Sequence, residues 1–316
     1  MICFVRRPGR DASSCVDFTI DTVRSGDRPV RRLRLRGYAG EHHTTDRELI
    51  ERVPRPQAAH ADTSAKSGEG SGGGEGAGGF QPRAVQPERP SVATHAGTVA
   101  PGYAELETGF EHDRNSDGTR AGLIPTVLKV GLTKRTQLAV QLPALGSTDT
   151  PTGLGDIAVG LKWRLMEDDP LFQDIAVLPQ VKFSTGGDRG TGTTDASLLL
   201  INSRTLGPVG LDLNLGVTRR SGDGSNAPRT ATLWAAAAGI PVRGALGWAL
   251  EAYGLPGTGG EAGTAPIVAI LTGPTLVLRQ EVELDLGIIM PVTGPQPRAI
   301  YAGLVTNLGK IFSLPK

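Results

Sequence analysis

Three groups of residues in the chain resemble functional sites, and each lacks a part that its chemistry needs. His112 stands beside Asp113, but no serine or cysteine nucleophile is paired with them, so no nucleophilic site is defined. Residues 186–192 are glycine-rich like a phosphate-binding loop, yet no Gly-Lys-Ser/Thr ending and no helix follow. Asp113, Asn115 and Asp117 begin like a calcium loop whose closing glutamate is missing. We therefore predict no catalytic residue, no metal site, no cofactor and no enzymatic activity.

The remaining charged residues occupy alternate positions of short segments, most clearly in residues 156–165. Successive side chains of a β-strand point to opposite faces, so such a segment has one apolar face and one small or charged face. The polar faces, predicted to line a wet lumen, carry Asp156, Lys162, Arg164, Asp174, Lys182, Asp212, Glu251, Glu281, Glu283 and Asp285. The apolar faces, predicted to contact lipid, carry Ile157, Val159, Leu161, Trp163, Leu211, Leu213, Leu215, Leu284 and Leu286.

The elements that position these residues are predicted to be about twelve strands of about ten residues, the length that crosses a bilayer at a tilt. They begin near Pro101 and continue to Phe312, with turn signals such as residues 115–118 between them. Their connections are too short for parallel crossovers, so the strands are antiparallel. The predicted fold class is all-β, a closed antiparallel transmembrane barrel preceded by a disordered N-terminal region.

Composition excludes several other classes. The net charge of +1 gives no pull toward nucleic acid. With 38% hydrophobic residues and no apolar run near the roughly 18 residues of a spanning helix, a helical membrane protein is excluded. A membrane barrel escapes this test, because only its alternate residues need to be apolar. The 44 glycines and 23 prolines favour many turns and short strands.

The chain divides into four predicted parts. Residues 1–61 lack periodicity and form a leader, and residues 62–100 form a Gly/Ser/Pro-rich linker. Residues 101–312 form the barrel, and residues 313–316 are a C-terminal overhang. The triplet Ala59-His60-Ala61 has the form of a signal-peptidase site, but no apolar segment precedes it. One hypothesis is a mis-assigned start, and the alternative is a chance triplet.

Alternation alone does not separate a membrane barrel from a soluble β-protein, because each has one apolar face. The apolar faces carry almost no charge, as expected where a lysine or arginine would cost about 2–4 kcal/mol in mid-bilayer. Aromatic residues are only 4% of the chain, fewer than the aromatic girdles of membrane barrels would suggest. Both a channel and a non-transporting structural or ligand-binding barrel, soluble or membrane-embedded, stay open on these grounds.

Several segments, in order along the chain, resemble the MetA-pathway of phenol degradation family of outer-membrane barrels. They are residues 89–93 (RPSVA), 101–109 (PGYAELETG), 130–138 (VGLTKRTQL) and 155–165 (GDIAVGLKWRL). The resemblance covers about residues 88–312. It implies a transporter-like channel in a bacterial outer membrane for small molecules, hydrophobic or aromatic ones among them. The implied partners are the lipid bilayer, the outer-membrane assembly machinery and a small-molecule permeant.

Overall fold

The computed structural model divides the chain into two units, Met1–Val53 and Pro54–Lys316. It describes residues 82–115, 118–147, 152–222, 229–256 and 266–313, and before them only the backbone of four strands. The leader and linker boundary at residues 61 and 62 and the Ala59-His60-Ala61 triplet therefore lie outside the described residues. The four strands of the first unit pair in chain order: β1 Ile2–Phe4, β2 Ser14–Ser25, β3 Arg28–Tyr38 and β4 Thr44–Asp46.

The second unit contains a closed antiparallel β-barrel of twelve strands, which confirms the predicted fold class. Three of the twelve strands are interrupted, so that fifteen segments build the wall. They are β5 Tyr103–Arg114, β6 Arg120–Ile124, β7 Thr126–Gly131, β8 Thr136–Gln141, β9 Ala144–Ser147, β10 Gly153–Leu154, β11 Ile157–Asp169, β12 Gln173–Phe183, β13 Asp195–Leu206, β14 Val209–Arg220, β15 Thr230–Arg243, β16 Leu246–Leu255, β17 Ile267–Arg279, β18 Val282–Thr293 and β19 Arg298–Lys310.

The barrel closes between its first and last strands. Each strand pairs with the next in the chain, and β19 pairs with β5 from Arg298 opposite Arg114 to Lys310 opposite Tyr103. Closure leaves no unpaired edge, which is the arrangement that lets a sheet stand in lipid. The second strand is split at Pro125 into β6 and β7, because proline cannot donate to the ladder.

Side chains alternate across the wall as the sequence pattern predicts. In β14, Asp212 and Asn214 are 1% and 2% exposed, whereas Leu213 and Leu215 are 46% and 62% exposed. Charged and polar side chains therefore point inward on this strand, and apolar side chains point outward. Among the residues that the structure describes, no helix is long and apolar enough to span a bilayer.

The two ends of the barrel differ in their connections. One end carries tight turns, among them residues 207–208 and 244–245, where Gly207 and Gly244 have φ values of 60° and 57°. The other end carries the longest connections, residues 184–194, 221–229 and 256–266. In outer-membrane barrels the short turns face the periplasm and the longer loops face outward. We refer to the two ends as the turn end and the loop end.

Candidate functional site

The interior of the barrel is filled by residues 82–100, which we call the lumen segment. It enters at the turn end, where the Val85 N–H donates to the β17–β18 turn at 2.8 Å. It leaves at the same end, where Pro101 forms a bridge to Gly131. Between these points the chain is mostly buried, and Ala93 has no exposed surface. The segment is thus an arch that rises into the barrel and returns.

The structure differs here from the linker predicted over residues 62–100. The Gly/Ser-rich run behind that prediction ends at Gly79. The residues that follow include Val92, Ala93 and Val99, each at most 4% exposed. These apolar side chains are buried against the wall, and the wall supplies partners for the backbone of the segment. The described part of the predicted linker is therefore a packed element.

Glu251 on β16 and Asn214 on β14 hold the top of the arch. The two carboxylate oxygens of Glu251 accept the Val92 N–H at 2.8 and 2.7 Å, and one of them accepts the Ala93 N–H at 2.6 Å. The Asn214 amide accepts the Thr94 N–H at 2.7 Å and donates to the Thr94 carbonyl at 2.9 Å. Wall side chains therefore take the place that a neighbouring strand would fill for these backbone groups.

The descending part of the arch is bound in the same way. The Ala96 N–H donates to Ser203 Oγ on β13 at 2.7 Å, and Ser203 Oγ donates to Asp212 Oδ1 at 2.5 Å. The Val99 N–H donates to Gln137 Oε1 on β8 at 2.8 Å. Strands from several sides of the barrel thus bind one short segment, which places the segment across the lumen.

Lys162 on β11 is the main cation that binds the segment. Its fully buried ammonium contacts the Glu88 carboxylate and donates to Thr94 Oγ1 at 3.1 Å and to the His95 carbonyl at 2.8 Å. Burial opposes the charge of Glu88, but Lys162 and Lys129 hold the pKa of Glu88 at about 2. The pair is therefore an ion pair inside the barrel, and removing either partner leaves a buried charge alone.

A second group of charges surrounds Lys129 on β7. Its ammonium lies 2.6 Å from Oε1 of both Glu105 and Glu107 on β5. The same two carboxylates accept backbone N–H groups of the lumen segment, from Gln86 at 2.8 Å and from Glu88 at 2.6 Å. This group fastens the ascending part of the arch near the turn end.

Arg89 forms a further ionic contact between the segment and the wall. Its Nε and Nη2 donate to the two oxygens of Asp285 on β18 at 3.2 and 3.3 Å. The guanidinium lies against Gly109 on β5 and Gly303 on β19, where a Cβ atom would collide with it. Two neighbouring strands therefore lack side chains at the level where the arginine is seated.

The lumen segment packs against apolar side chains of the inner wall. Val92, Ala93 and Ala96 pack in one apolar cluster with inward side chains of the wall, among them Leu199 and Leu271. A cavity of about 50 Å³ remains beside the segment, whereas a protein cavity that binds benzene has about 150 Å³. This cavity is therefore too small for an aromatic molecule.

The loop end has its own polar contact around Asp156. Its carboxylate accepts the backbone N–H groups of Gly186 at 2.9 Å and Thr191 at 2.8 Å, and it pairs with Lys182 at 3.0 Å. Lys182 also pairs with Asp195 at 3.1 Å. These contacts hold the glycine-rich loop 184–194 against the rim of the barrel. Protein contacts thus account for the position of this loop, and no bound phosphate needs to be invoked.

Seven of the residues predicted to line the lumen are buried, and three are half-buried. Arg164, Asp174 and Glu281 are the half-buried ones, and they lie close to the tight turns. Five of the residues predicted to contact lipid are exposed, and Ile157, Val159, Leu211 and Leu284 are half-buried. That the first set lines a pore and the second contacts lipid stays a prediction. The buried seven are Asp156, Lys162, Lys182, Asp212, Glu251, Glu283 and Asp285, and the exposed five are Leu161, Trp163, Leu213, Leu215 and Leu286.

The sequence did not reveal the residues of the lumen segment itself, chiefly Glu88 and Arg89. Glu105 and Glu107 alternate with Ala104, Leu106 and Thr108 in the sequence, but their contact with Lys129 has no local signal. The structure brings them together through strand pairing, since Glu105 lies opposite Lys129 in the β5–β7 ladder. No group of three or more possible metal ligands occurs in the part of the chain that the structure describes.

A closed twelve-stranded barrel with an apolar exterior and a filled lumen has the fold of an outer-membrane β-barrel. The structure is similar to the COG4313 outer membrane channel from Pseudomonas putida F1, with a TM-score of 0.56 and 12% sequence identity. The match covers 71% of this chain and 100% of that chain.

Two further solved structures are less similar. The translocator domain of the autotransporter NalP from Neisseria meningitidis gives a TM-score of 0.38 at 9% identity, over 65% of this chain and 88% of that chain. The Acinetobacter baumannii outer membrane protein Omp33 gives 0.32 at 9% identity, over 66% and 99%. Neither a protein-family description nor a curated protein sequence matches this chain.

His95 gives the docking of the lumen segment a pH dependence. Burial, and next the charge of Lys162, lower the pKa of His95 from 6.5 to about 3. A released histidine takes up a proton near its ordinary pKa, so docking loses stability as the pH falls from about 6.5 toward 3. We expect a change from about pH 7.5 to about pH 5 to favour the released state about thirtyfold through His95.

Hydrogen exchange of the Thr94 and Ala96 amides measures this effect. The His95→Gln variant serves as the reference, because Glu88 and every carboxylate of the wall are common to both proteins. The opening constant of the unaltered protein, divided by that of the variant, should rise as the pH falls. Equal pH dependence in the two proteins would show that His95 contributes nothing to docking.

Proposed function

We propose that the chain is an outer-membrane channel that passes small apolar or aromatic molecules when its lumen segment moves. The main support for this proposal is the way in which the lumen segment is bound to the wall. Its backbone is held by side chains such as Glu251 and Asn214, not by a strand of the wall. These contacts can break while every ladder of the barrel stays paired, so opening does not require the barrel to unfold.

The outer surface supports a membrane-embedded barrel over a soluble one. Trp163, Leu213 and Leu215 are exposed, and similar side chains follow on neighbouring strands. A soluble protein seldom leaves so large a continuous apolar surface in water. In a bilayer the same surface is solvated by lipid. We infer that the outer-membrane assembly machinery inserts the barrel, as its fold requires.

Two observations support apolar or aromatic permeants. The segments that resemble the MetA-pathway of phenol degradation family include residues 101–109 and 155–165, which form wall strands here. The inner wall also carries apolar side chains, such as Leu199, Leu233 and Leu271, which now contact the lumen segment or one another. Movement of the segment would expose them to the lumen. We propose no enzymatic activity.

A charge on the outer wall tests the bilayer placement. Leu215 lies at the middle of β14, so Leu215→Arg is expected to destabilise the barrel in lipid by about 2–4 kcal/mol. Leu206→Arg is the matched control, because Leu206 ends β13 next to a tight turn, where the cost should be only about 0–1 kcal/mol. Unfolding in urea, with the barrel in lipid vesicles and heat-modifiable gel mobility as the readout, gives both values. Equal costs at the two positions would contradict a bilayer around the barrel.

A reversible lock tests whether the lumen segment is the gate. Ala96 and Ser203 touch through the 2.7 Å hydrogen bond, so Ala96→Cys with Ser203→Cys can form a disulfide across the lumen, with Cys3 and Cys15 replaced by serine. The oxidised protein should give no current in a planar bilayer, and reductant should restore it. In proteoliposomes, entry of tryptophan, an aromatic solute that crosses lipid slowly, should fall to the protein-free rate when locked.

The two single-cysteine variants control for the substitutions, and sucrose controls for a leak. Equal tryptophan entry in the oxidised and reduced states would overturn gating by the segment. No entry in either state would favour the alternative function, a structural or ligand-binding barrel without transport. The small residual cavity of about 50 Å³ is the observation that keeps this alternative open.

A further inference from the structure

An acidic stripe runs along the inner wall on β5. Glu105, Glu107, Glu111 and Asp113 are all buried and lie on the inward face, in order from the turn end to the loop end. Gly109 interrupts the series at mid-height. The stripe thus has a single gap within this strand, and the gap lies where Arg89 is seated.

The strand register makes this gap a slot. Gly109 pairs with Gly303 on β19, and Gly303 pairs with Asp285 on β18, so the three residues form one row across three strands. Two of them have no side chain, and the third ends the row with a carboxylate. We call these three residues the glycine slot. Its floor is bare backbone, which suits a flat group lying against the wall.

Arg89 shows what the slot holds. Its planar guanidinium lies on the two glycines, donates to both oxygens of Asp285 and reaches the Ala302 carbonyl at 3.5 Å. A paired, planar donor set of this kind is what a carboxylate binds best. One row toward the loop end, the Tyr301 hydroxyl is buried and has no hydrogen-bond partner among the described atoms. A further polar group of a ligand could bond to it.

We propose that the glycine slot is a binding site for the guanidinium or amidinium group of a permeant, and that Arg89 occupies it in the closed barrel as an internal ligand. This proposal rests on the proposed channel function, because it names a charged end group for the aromatic molecules that the channel would pass. A cation that enters from the loop end follows Asp113 and Glu111 to the slot. By displacing Arg89 it removes one of the contacts that hold the lumen segment.

The slot alone is tested by binding in detergent, where no transport is needed. Arg89→Ala empties the slot, and methylguanidinium is the probe. We expect the Arg89→Ala protein to bind it more tightly than the unaltered chain does, and Arg89→Ala with Asp285→Asn to bind it about tenfold more weakly than Arg89→Ala alone. Arg83→Ala is the matched control, since the Arg83 side chain is 58% exposed and makes only a long contact with Glu281, at 4.0 Å. It should bind no more than the unaltered chain.

If gel mobility shows that the Arg89→Ala protein does not fold, the unaltered protein provides a second measurement. Millimolar methylguanidinium should speed hydrogen exchange at Val92 and Ala93, and an equal concentration of tetramethylammonium should not. Equal affinity of the Arg89→Ala and unaltered proteins, or no loss of affinity with Asp285→Asn, would overturn the slot. Slot binding without any current would instead contradict the channel, so the two proposals fail separately.

Discussion

Replacing Lys162 with methionine is expected to release the lumen segment. Methionine keeps most of the length and packing of the lysine but donates to neither Thr94 nor the His95 carbonyl, and it leaves the Glu88 carboxylate without its nearest cation. Breaking a buried ion pair from one side costs about 3–5 kcal/mol. The fraction of molecules in which the lumen segment is released should therefore rise at least about a hundredfold.

Hydrogen exchange at Thr94 and Ala96, together with bilayer current, measures this release. Lys134→Met is the control, because Lys134 is an exposed lysine of a tight turn at the turn end. Adding Glu88→Gln to the Lys162→Met protein should recover much of the protection, since the stranded charge is then gone. Protection unchanged by Lys162→Met would mean that the ion pair does not hold the segment.

The inner and outer faces of the barrel wall were predictable, because the alternation of residue types within a single strand shows which side chains share a face. The pattern of residues 209–219 placed Leu213 and Leu215 on one side and Asp212 and Asn214 on the other, and β14 spans Val209–Arg220 with that same division. The pairing register of a strand is strongly specified when its two faces lie in different environments, since a shift by one residue would move every side chain to the opposite face. Repeating this pattern gave about twelve strands, but alternation alone did not separate a closed membrane barrel from a soluble β-protein.

The lumen segment was not predictable in the same way. Its partners are distant in the chain, for example Glu251, which lies 159 residues from Val92. Its hydrogen bonds run from backbone to wall side chains, so residues 82–100 need neither the period of a strand nor that of a helix. Proline and small residues in such a stretch give the same composition as a linker.

The inward charges were predicted, but their partners were not. The sequence placed Lys162 and the acidic residues of β16 and β18 on faces that were predicted to line a wet lumen. In the structure the lumen segment lies between them, and each side bonds to it: Lys162 to Glu88, Glu251 to Val92, and Asp285 to Arg89. Alternation reports which side of the wall a residue occupies, but not what fills the interior.

Replacing Glu251 with glutamine is expected to loosen the top of the arch. Glutamine keeps the shape of Glu251 but puts an N–H donor against the Val92 and Ala93 N–H groups, which the carboxylate now accepts. Each hydrogen bond to a charged group contributes about 1.5–3 kcal/mol, so exchange at these two amides should rise about tenfold to a hundredfold. Glu167→Gln is the control, because Glu167 lies on the surface of the barrel and pairs with Arg164, outside the lumen segment.

The spread of this effect along the segment decides how the channel opens. If the arch leaves the lumen as a unit, Glu251→Gln should speed exchange at Ala96 as much as at Val92, and channel openings should become more frequent by the same factor. The Lys162→Met substitution should then multiply this effect at both amides, because the free-energy costs of separate contacts add when one opening step breaks them all. Faster exchange confined to Val92 and Ala93, with unchanged current, would mean local fraying of the arch in a barrel that stays closed.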